Sequence, residues 1–360
     1  MKYQNLFNAN IGLTFKQAIK LFAGTPKSAA AMLRVSAHEA KAAKLRKRWL
    51  EQGVSVPPLL IVSTTEACNL CCKECYAANV CREPGKELSA ERIAGILDEA
   101  SAAGCSMVFL AGGEPLLSPD WLQAAAKRPE LLGLVFTNGT LFDEGWFSFF
   151  DSHRNLIALF SVEGLPQRTD ERRGSGVTAT IKAAMAEMKK RRIPFGISVT
   201  TGSHNLDEVL SDTFFEPYIE LGCSIVIHVE YVPMGTSEAF SPLSAEGKAR
   251  LSAVCGARSK EGKAIVFPFP GDEDQYGGCL AAGRGFLHIT SSGSLEPCPF
   301  APYSDRSLAE LSLIEALRSP LLKAIRAEAH TLREGVGGCS LRGKEEYPRL
   351  PGVSRIMIRS

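Results

Sequence analysis

Cys68, Cys72 and Cys75 stand as CxxxCxxC in the stretch TEACNLCCKECYAA, residues 65–78. One tight loop with that spacing can present three thiolates to a cube-shaped iron–sulfur cluster and leave its fourth iron without a protein ligand. Thiolates are soft donors that suit such clusters, and an open iron leaves room for a small chelating molecule. Cys71 lies in the same stretch, so Cys68/Cys71 and Cys72/Cys75 also read as two overlapping CxxC pairs, a spacing that could hold zinc. Far downstream come Cys279, Cys298 at the end of GFLHITSSGSLEPCPF, and Cys339 in GGCS.

These residues need a scaffold, and the hydrophobic pattern supplies one. Short apolar runs at 59–64, 106–110, 134–137, 156–161, 194–200 and 224–231 alternate with helical patterns at 90–103, 120–128, 143–152, 178–192 and 206–221. Six βα units in a row predict a parallel sheet buried on both faces. The fold expected is α/β, an open partial barrel, although spacing alone also admits a doubly wound sheet. In both, ligands collect at the carboxyl ends of the strands. The cysteine loop follows the first run, Gly112-Gly113-Glu114-Pro115 the second, while Thr137-Asn138-Gly139 and Ser161-Val162-Glu163 close the third and fourth. All four segments fall at one end.

Together with Tyr76 directly after Cys75, the CxxxCxxC loop resembles the signature of the radical S-adenosylmethionine (SAM) superfamily. The resemblance implies a partial (βα)6 TIM-like barrel and a [4Fe–4S] cluster on Cys68, Cys72 and Cys75, with SAM on its open iron. GGEP resembles the segment that receives the SAM amino group; Gly-Gly permits close backbone approach, and a carboxyl with exposed carbonyls can accept from an ammonium. Ser161 and Glu163 match positions that contact the ribose and methionine portions. Arg173 matches a guanidinium that approaches the SAM carboxylate, with Arg172 an equal candidate. Thr137 and Asn138 fit either a cofactor contact or a plain turn. Val232-Pro233-Met234-Gly235 resembles the segment lining the adenine site.

On the sixth run, His228 and Glu230 share parity with Val226, opposite Ile225, Ile227 and Val229. Polar residues on a doubly buried strand are expected to face the barrel cavity, which makes both candidates for substrate binding or proton transfer; a satisfied core network is the alternative. Ser198 and Thr200 make the same case more faintly.

After about Ser237 the βα rhythm is expected to stop. Cys279, a hairpin turning at Ser292-Gly293, Cys298, a helix over 307–330 and Cys339 follow in an order that resembles the SPASM/twitch extension of the superfamily, which holds an auxiliary [4Fe–4S] cluster. The match departs from that pattern, because the C-terminal cysteines are reduced to Cys339. Three thiolates imply one auxiliary cluster at most, its fourth iron open, bound by substrate, or filled by Cys255, His330 or Glu334. Zinc at the same three positions, or plain buried thiols, are the alternatives. Cys81, Cys105 and Cys223 read as core thiols.

The chain has 360 residues, 45% hydrophobic and 22% charged, an ordinary globular composition that should fold. A net charge of +2 carries no basic footprint, and no nucleic-acid partner is expected. Eleven cysteines without a signal-peptide apolar core argue for a reducing cytoplasm. No apolar run approaches the roughly 20 residues of a membrane span.

Residues 1–56 are distinct. Leu13, Phe15, Ile19 and Phe22 suggest one amphipathic helix, a second runs over 28–52, and about ten Lys or Arg face only Glu39 and Glu51. Such helices could meet an anionic membrane surface or an acidic substrate, or pack across the barrel with a solvated face. The division expected is 1–56 helical, 57–236 barrel, 237–342 auxiliary-cluster segment and 343–360 tail. The resemblance implies reductive cleavage of SAM to methionine and a 5′-deoxyadenosyl radical that abstracts hydrogen, fed by a donor such as flavodoxin or ferredoxin. Peptide or small-molecule modification is the expected outcome, as an oxidoreductase or maturase. A lipid or membrane-associated substrate is a rival, and a non-catalytic zinc-binding interaction protein is a reading of another class.

Overall fold

The computed structural model describes residues 2–81, 86–234, 240–269, 276–332, 339–341, 344, 346–355, 357 and 358. Gly235 and Glu334, named above, lie outside them. Helices α1 (Lys2–Phe22) and α2 (Pro26–Glu51) precede β1 (Leu59–Ser63), α3 (Tyr76–Asn79) and β2 (Val80–Cys81). Next come α4 (Ala90–Ala103), β3 (Met107–Ala111), α5 (Asp120–Ala126), β4 (Leu132–Thr137), α6 (Glu144–Ser152), β5 (Leu156–Val162), α7 (Pro166–Arg173) and α8 (Val177–Lys190). Then follow β6 (Phe195–Thr201), α9 (Leu206–Val209), α10 (Asp212–Glu220), β7 (Ile225–Glu230), α11 (Ala245–Glu261) and β8 (Ile265–Phe269). The last part holds β9 (Phe286–Ile289), β10 (Leu295–Glu296), β11 (Tyr303–Ser304), α12 (Leu313–Ala316), α13 (Pro320–Ala327), β12 (Ser354–Arg355) and β13 (Met357–Ile358).

Local chemistry sets where the chain turns back. Ser89 starts α4 by accepting from the Arg92 amide at 3.2 Å, and Gly104, with φ of 108°, ends it in the left-handed conformation that glycine adopts freely. Asp143 and Ser244 cap α6 and α11 in the same way. The helices between the strands return the chain to strands buried on both faces, as β1 is along its whole length. The result is one curled sheet in the order β10-β9-β1-β3-β4-β5-β6-β7-β8, parallel throughout except for β10, the expected partial barrel.

The rhythm does not stop at Ser237. Helix α11 leads into β8, which pairs parallel to β7. Pro268 disguises this strand in the sequence; as the sheet's outer strand on that side, it tolerates a residue that cannot donate to a ladder. At the other edge β9 pairs parallel to β1 and antiparallel to β10, so the downstream hairpin belongs to the same sheet. A buried chain ties this junction: Ser63 Oγ lies 2.8 Å from His288 Nε2, and His288 Nδ1 lies 2.6 Å from Glu296 Oε2. The single helix expected over 307–330 is two, α12 and α13, broken at Ser319-Pro320, where Ser319 accepts from the Leu322 amide and Pro320 starts the second.

Helices α1 and α2 pack on the barrel through Phe15, Phe22, Met32 and Val35. Arg46 donates to Glu39 and to the carbonyl of Gly104, and Gln17 donates to the carbonyl of Ser259. Leu13 is exposed rather than on the buried stripe, because residues two apart on a helix do not share a face with Phe15. Among the described residues no helix is long and apolar enough to cross a membrane.

Candidate active site

The cysteine loop leaves β1 and is held in place from three sides. The Gly113 amide donates to Thr65 O and the Glu114 amide to Ala67 O, both at 2.8 Å. A Cβ on Gly113 would sit 1.9 Å from Ala67 O, and one on Gly112, at φ of 121°, would sit 2.7 Å from Thr65 O. The double glycine therefore lets the loop's own backbone lie against β3's end. Asn138 Nδ2 donates to Asn69 Oδ1 at 2.8 Å, tying the loop to the end of β4. On the third side Arg172 donates to the carbonyls of Lys73 and Glu74, at 3.0 and 3.2 Å, and the Lys73 amide returns a bond to Arg172 O.

Held this way, Cys68, Cys72 and Cys75 line one cavity at the carboxyl ends of the strands, together with Tyr76, Gly112, Gly113, Glu114, Asn138, Ser161, Arg173, Glu230 and Val232. The thiols feel one another: burial pushes Cys72 up, Cys75 and Cys68 add to it, and Arg173 and Arg172 oppose. Burial likewise raises Cys68, although the Leu70 amide donates to its sulfur at 3.5 Å. Three mutually repelling thiolates on one cavity wall suit a shared cationic iron core, which removes that repulsion. Among the described residues no three His, Cys, Asp or Glu side chains converge as the ligands of a single ion do.

Several candidates serve the framework. The Glu114 carboxylate accepts from Thr137 Oγ1 (2.7 Å), the Asn138 amide (2.8 Å) and the Leu116 amide (3.1 Å), clamping β3 to β4; burial holds its pKa above the usual carboxylate range despite these donors. Thr137 and Pro115 stand behind the cavity wall in that clamp. Glu163 does not line the cavity. Its carboxylate receives Arg172 at 2.5 Å and Arg173 at 2.5 and 2.8 Å; burial opposes its charge, but Arg173 and Arg172 outweigh burial and hold its pKa below the usual range. Ser161 Oγ lies 3.2 Å from Ser198 Oγ on the lumen side.

His228 corrects the parity argument. Ser198 and Thr200 on β6 line the lumen, and the register sets Ile227 and Val229 beside them, so His228 faces the helices. Its Nδ1 lies 3.0 Å from Thr201 Oγ1, and burial, with Arg258 on α11 adding, lowers its pKa to about 4. It is a neutral core histidine. Glu230, at the strand's end, reaches the cavity and lies 3.3 Å from Lys248 Nζ of α11. Pro233 borders Val232 without lining the cavity. Sequence reasoning missed the aromatic wall of Phe109, Phe136, Phe269 and Phe300. Phe109 shares parity with the lumen-lining Ala111, which was the available signal.

Cys279 and Cys298 are buried and Cys339 is half-buried, and all three lie close enough to Tyr303 to act on its phenol. The two cysteine systems meet at Tyr76, whose ring lies 5.4 Å from that of Phe300, edge to face, with Val80, Val232 and Cys339 alongside. Cys105, Cys223 and Cys255 are core thiols, each pushed up to about 12 by burial. The side chain of Cys81 is not described. The terminal strands come back to both systems, β12 pairing with β11 and β13 with β2.

A partial barrel whose first loop offers three thiols to the strand-end cavity is the architecture of the radical SAM enzymes. Residues 62–213 match the radical SAM superfamily, and the chain carries its domain, the domain of an enzyme that uses a [4Fe–4S] cluster and SAM. Among curated relatives, it is 29% identical over 277 residues to the AdoMet-dependent heme synthase of Methanosarcina barkeri, covering 69% of this chain and 78% of that one. The PqqA peptide cyclase of Gluconobacter oxydans is 26% identical over 254 residues, covering 68% and 70%. Among solved structures, Streptococcus suis SuiB bound to its precursor peptide SuiA superposes with a TM-score of 0.65 at 17% identity, covering 83% of this chain and 76% of that one. The peptide-bound anSMEcpe gives 0.61 at 16% identity, covering 84% and 92%.

Proposed function

We propose that this enzyme modifies a peptide by hydrogen abstraction, with a first cluster on Cys68, Cys72 and Cys75 and an auxiliary cluster on Cys279, Cys298 and Cys339 in the segment 237–342. The observation that carries the reading is the convergence of three thiols, Arg173 and an apolar aromatic wall on one cavity. With the cluster and SAM bound, that cavity supplies one-electron cleavage of SAM to methionine and a 5′-deoxyadenosyl radical. The chain's residues do the rest. Arg173, fixed by Glu163, is the cation for the SAM carboxylate; carbonyls of the Gly112-Gly113 segment accept from its ammonium; Ser161 and Val232 border its ribose and adenine. The phenylalanine wall excludes water from the reacting carbon. Glu230 with Lys248 is a polar substrate contact at the cavity's edge.

Peptide as substrate class is supported by relatives named as peptide cyclase and as mycofactocin maturase, and by the peptide held in SuiB. A small-molecule reading rests on the heme synthase relative and the same aromatic wall. The enzyme would work in a reducing cytoplasm with flavodoxin or ferredoxin as donor, and α1–α2 would brace the barrel rather than meet a membrane. The test is anaerobic reconstitution followed by SAM and dithionite, with release of 5′-deoxyadenosine as the expected result. Co-expression with any short reading frame beside the gene, read by mass spectrometry, then separates the substrates. A changed peptide mass supports the peptide reading; 5′-deoxyadenosine with every such peptide unchanged favours the small molecule.

A further inference from the structure

Tyr303 lies in the heart of the second cysteine system. Its backbone is fixed closely: the Ala301 amide donates to Cys298 O at 3.0 Å, the Tyr303 amide donates to Ala301 O at 2.8 Å, and β11 pairs across to Arg355. The side chain is 5% exposed, and its hydroxyl has no hydrogen-bond partner among the described residues. Buried hydroxyls are rarely left so, and this one has a proton to give. The groups around it include the three thiols of Cys339, Cys298 and Cys279, with Tyr347 beside them. Tyr347 is engaged elsewhere, donating to Glu328 Oε2 at 2.6 Å.

We infer that Tyr303 donates its hydroxyl hydrogen to a sulfur of the auxiliary cluster on Cys279, Cys298 and Cys339, setting that cluster's potential while leaving its fourth iron open. The inference rests on the auxiliary-cluster reading above. A phenolate ligand would add a fourth negative charge to three buried thiolates, whereas a neutral phenol adds none and turns its proton toward them. The fourth-ligand candidates from the sequence do not take the place: Cys255 is packed in α11 beside Arg258, His330 is exposed, and Glu334 lies outside the described residues. A donor to cluster sulfur favours the more negative, reduced state and so raises the potential. Tyr303 is on this account a positioning and tuning residue rather than a catalytic one.

The experiment is a potentiometric titration of the full chain, reconstituted anaerobically and followed by electron paramagnetic resonance. It is run in the Cys68→Ala/Cys72→Ala/Cys75→Ala background so that the auxiliary cluster alone reports. Tyr303→Phe is expected to keep its iron and sulfide and shift the midpoint to more negative potential. Fluorotyrosine at 303, a stronger donor, is expected to shift it upward. An unmoved midpoint in both at equal iron loading overturns the inference, as does loss of iron in Tyr303→Phe together with a phenolate-to-iron absorption band in the parent protein. A parent protein with no second cluster at all sinks the auxiliary-cluster reading itself, and this inference with it.

Discussion

Cys68, Cys72 and Cys75 come from one short loop, half-buried or exposed, whereas Cys279, Cys298 and Cys339 are gathered from three separate segments, two of them buried in the core. The first loop is held by polar ties from behind: Arg172 on its carbonyls, Asn138 on Asn69, the Glu114 amide on Ala67. The second system is held by burial, on a hairpin that joins the barrel sheet at β1. A loop that turns its thiols toward an open cavity has little apolar surface to hide, so hydrogen bonds give it its order. A site that excludes water can rely on packing, and its polar atoms must then be satisfied from within.

The comparison is broken or sharpened most strongly by removing each set of thiols. Cys68→Ala/Cys72→Ala/Cys75→Ala is expected to abolish 5′-deoxyadenosine formation and to leave one cluster. Cys279→Ala/Cys298→Ala is expected to lose the other cluster and to keep uncoupled SAM cleavage. Iron, sulfide and 5′-deoxyadenosine measured on both would erase the distinction if the two variants lost the same things. Next in size is Arg172→Ala, which strips a buried carboxylate of one of its two guanidiniums and cuts two loop carbonyls loose. Because Arg173 still pairs with Glu163, the loss is that of a hydrogen bond to a charged group, about 1.5–3 kcal/mol, read as a fall in denaturant midpoint, and iron loading at the first loop should fall with it. Glu163 adds a pH signature. Its folded pKa lies below its unfolded value of about 4.3, so its contribution is full above that pH and is lost as pH falls through the folded value. Arg172→Ala should flatten that acid limb; an unchanged limb would mean the pair contributes nothing.

How much of this was legible in the sequence follows the same division. The first loop was readable because its chemistry is local, and the strand ends placed GGEP, TNG and SVE beside it. What these segments do was less readable. A glutamate after two glycines looks like a group for an ammonium, yet Glu114 is turned inward onto Thr137 and two amides, a fact of tertiary contact that no spacing encodes. Period-two alternation says that His228 and Val226 share a face but not which face; only the register with Ser198 and Thr200 decides it. Pro268 hid β8. Tyr303 was invisible for a related reason, since a tyrosine shortly after a cysteine reads as core until its hydroxyl is found without a partner.

Gly113→Ala tests the polar-tie account more finely. The added Cβ meets a backbone oxygen, so the cysteine loop itself must move, and overpacking of this kind costs about 1–3 kcal/mol. Iron should be lost from the first loop and kept at the second, and equal loss at both would mean that the fold as a whole had failed.

The smallest expected effect is the one that most sharply tests the metal. Cys71 lies between Cys68 and Cys72 in sequence, yet it is exposed and is not part of the cavity wall that the other three share. A tetrahedral zinc closed by four sulfurs needs it, because Cys68, Cys72 and Cys75 provide only three. A cube with one bare iron does not. Cys71→Ser should therefore leave iron, sulfide and 5′-deoxyadenosine formation at the level of the parent protein, with stability within about 0.5 kcal/mol as for an ordinary surface change. If bound metal instead falls to nothing in this variant alone, the loop is a four-sulfur site and its openness to SAM is lost with the argument from spacing.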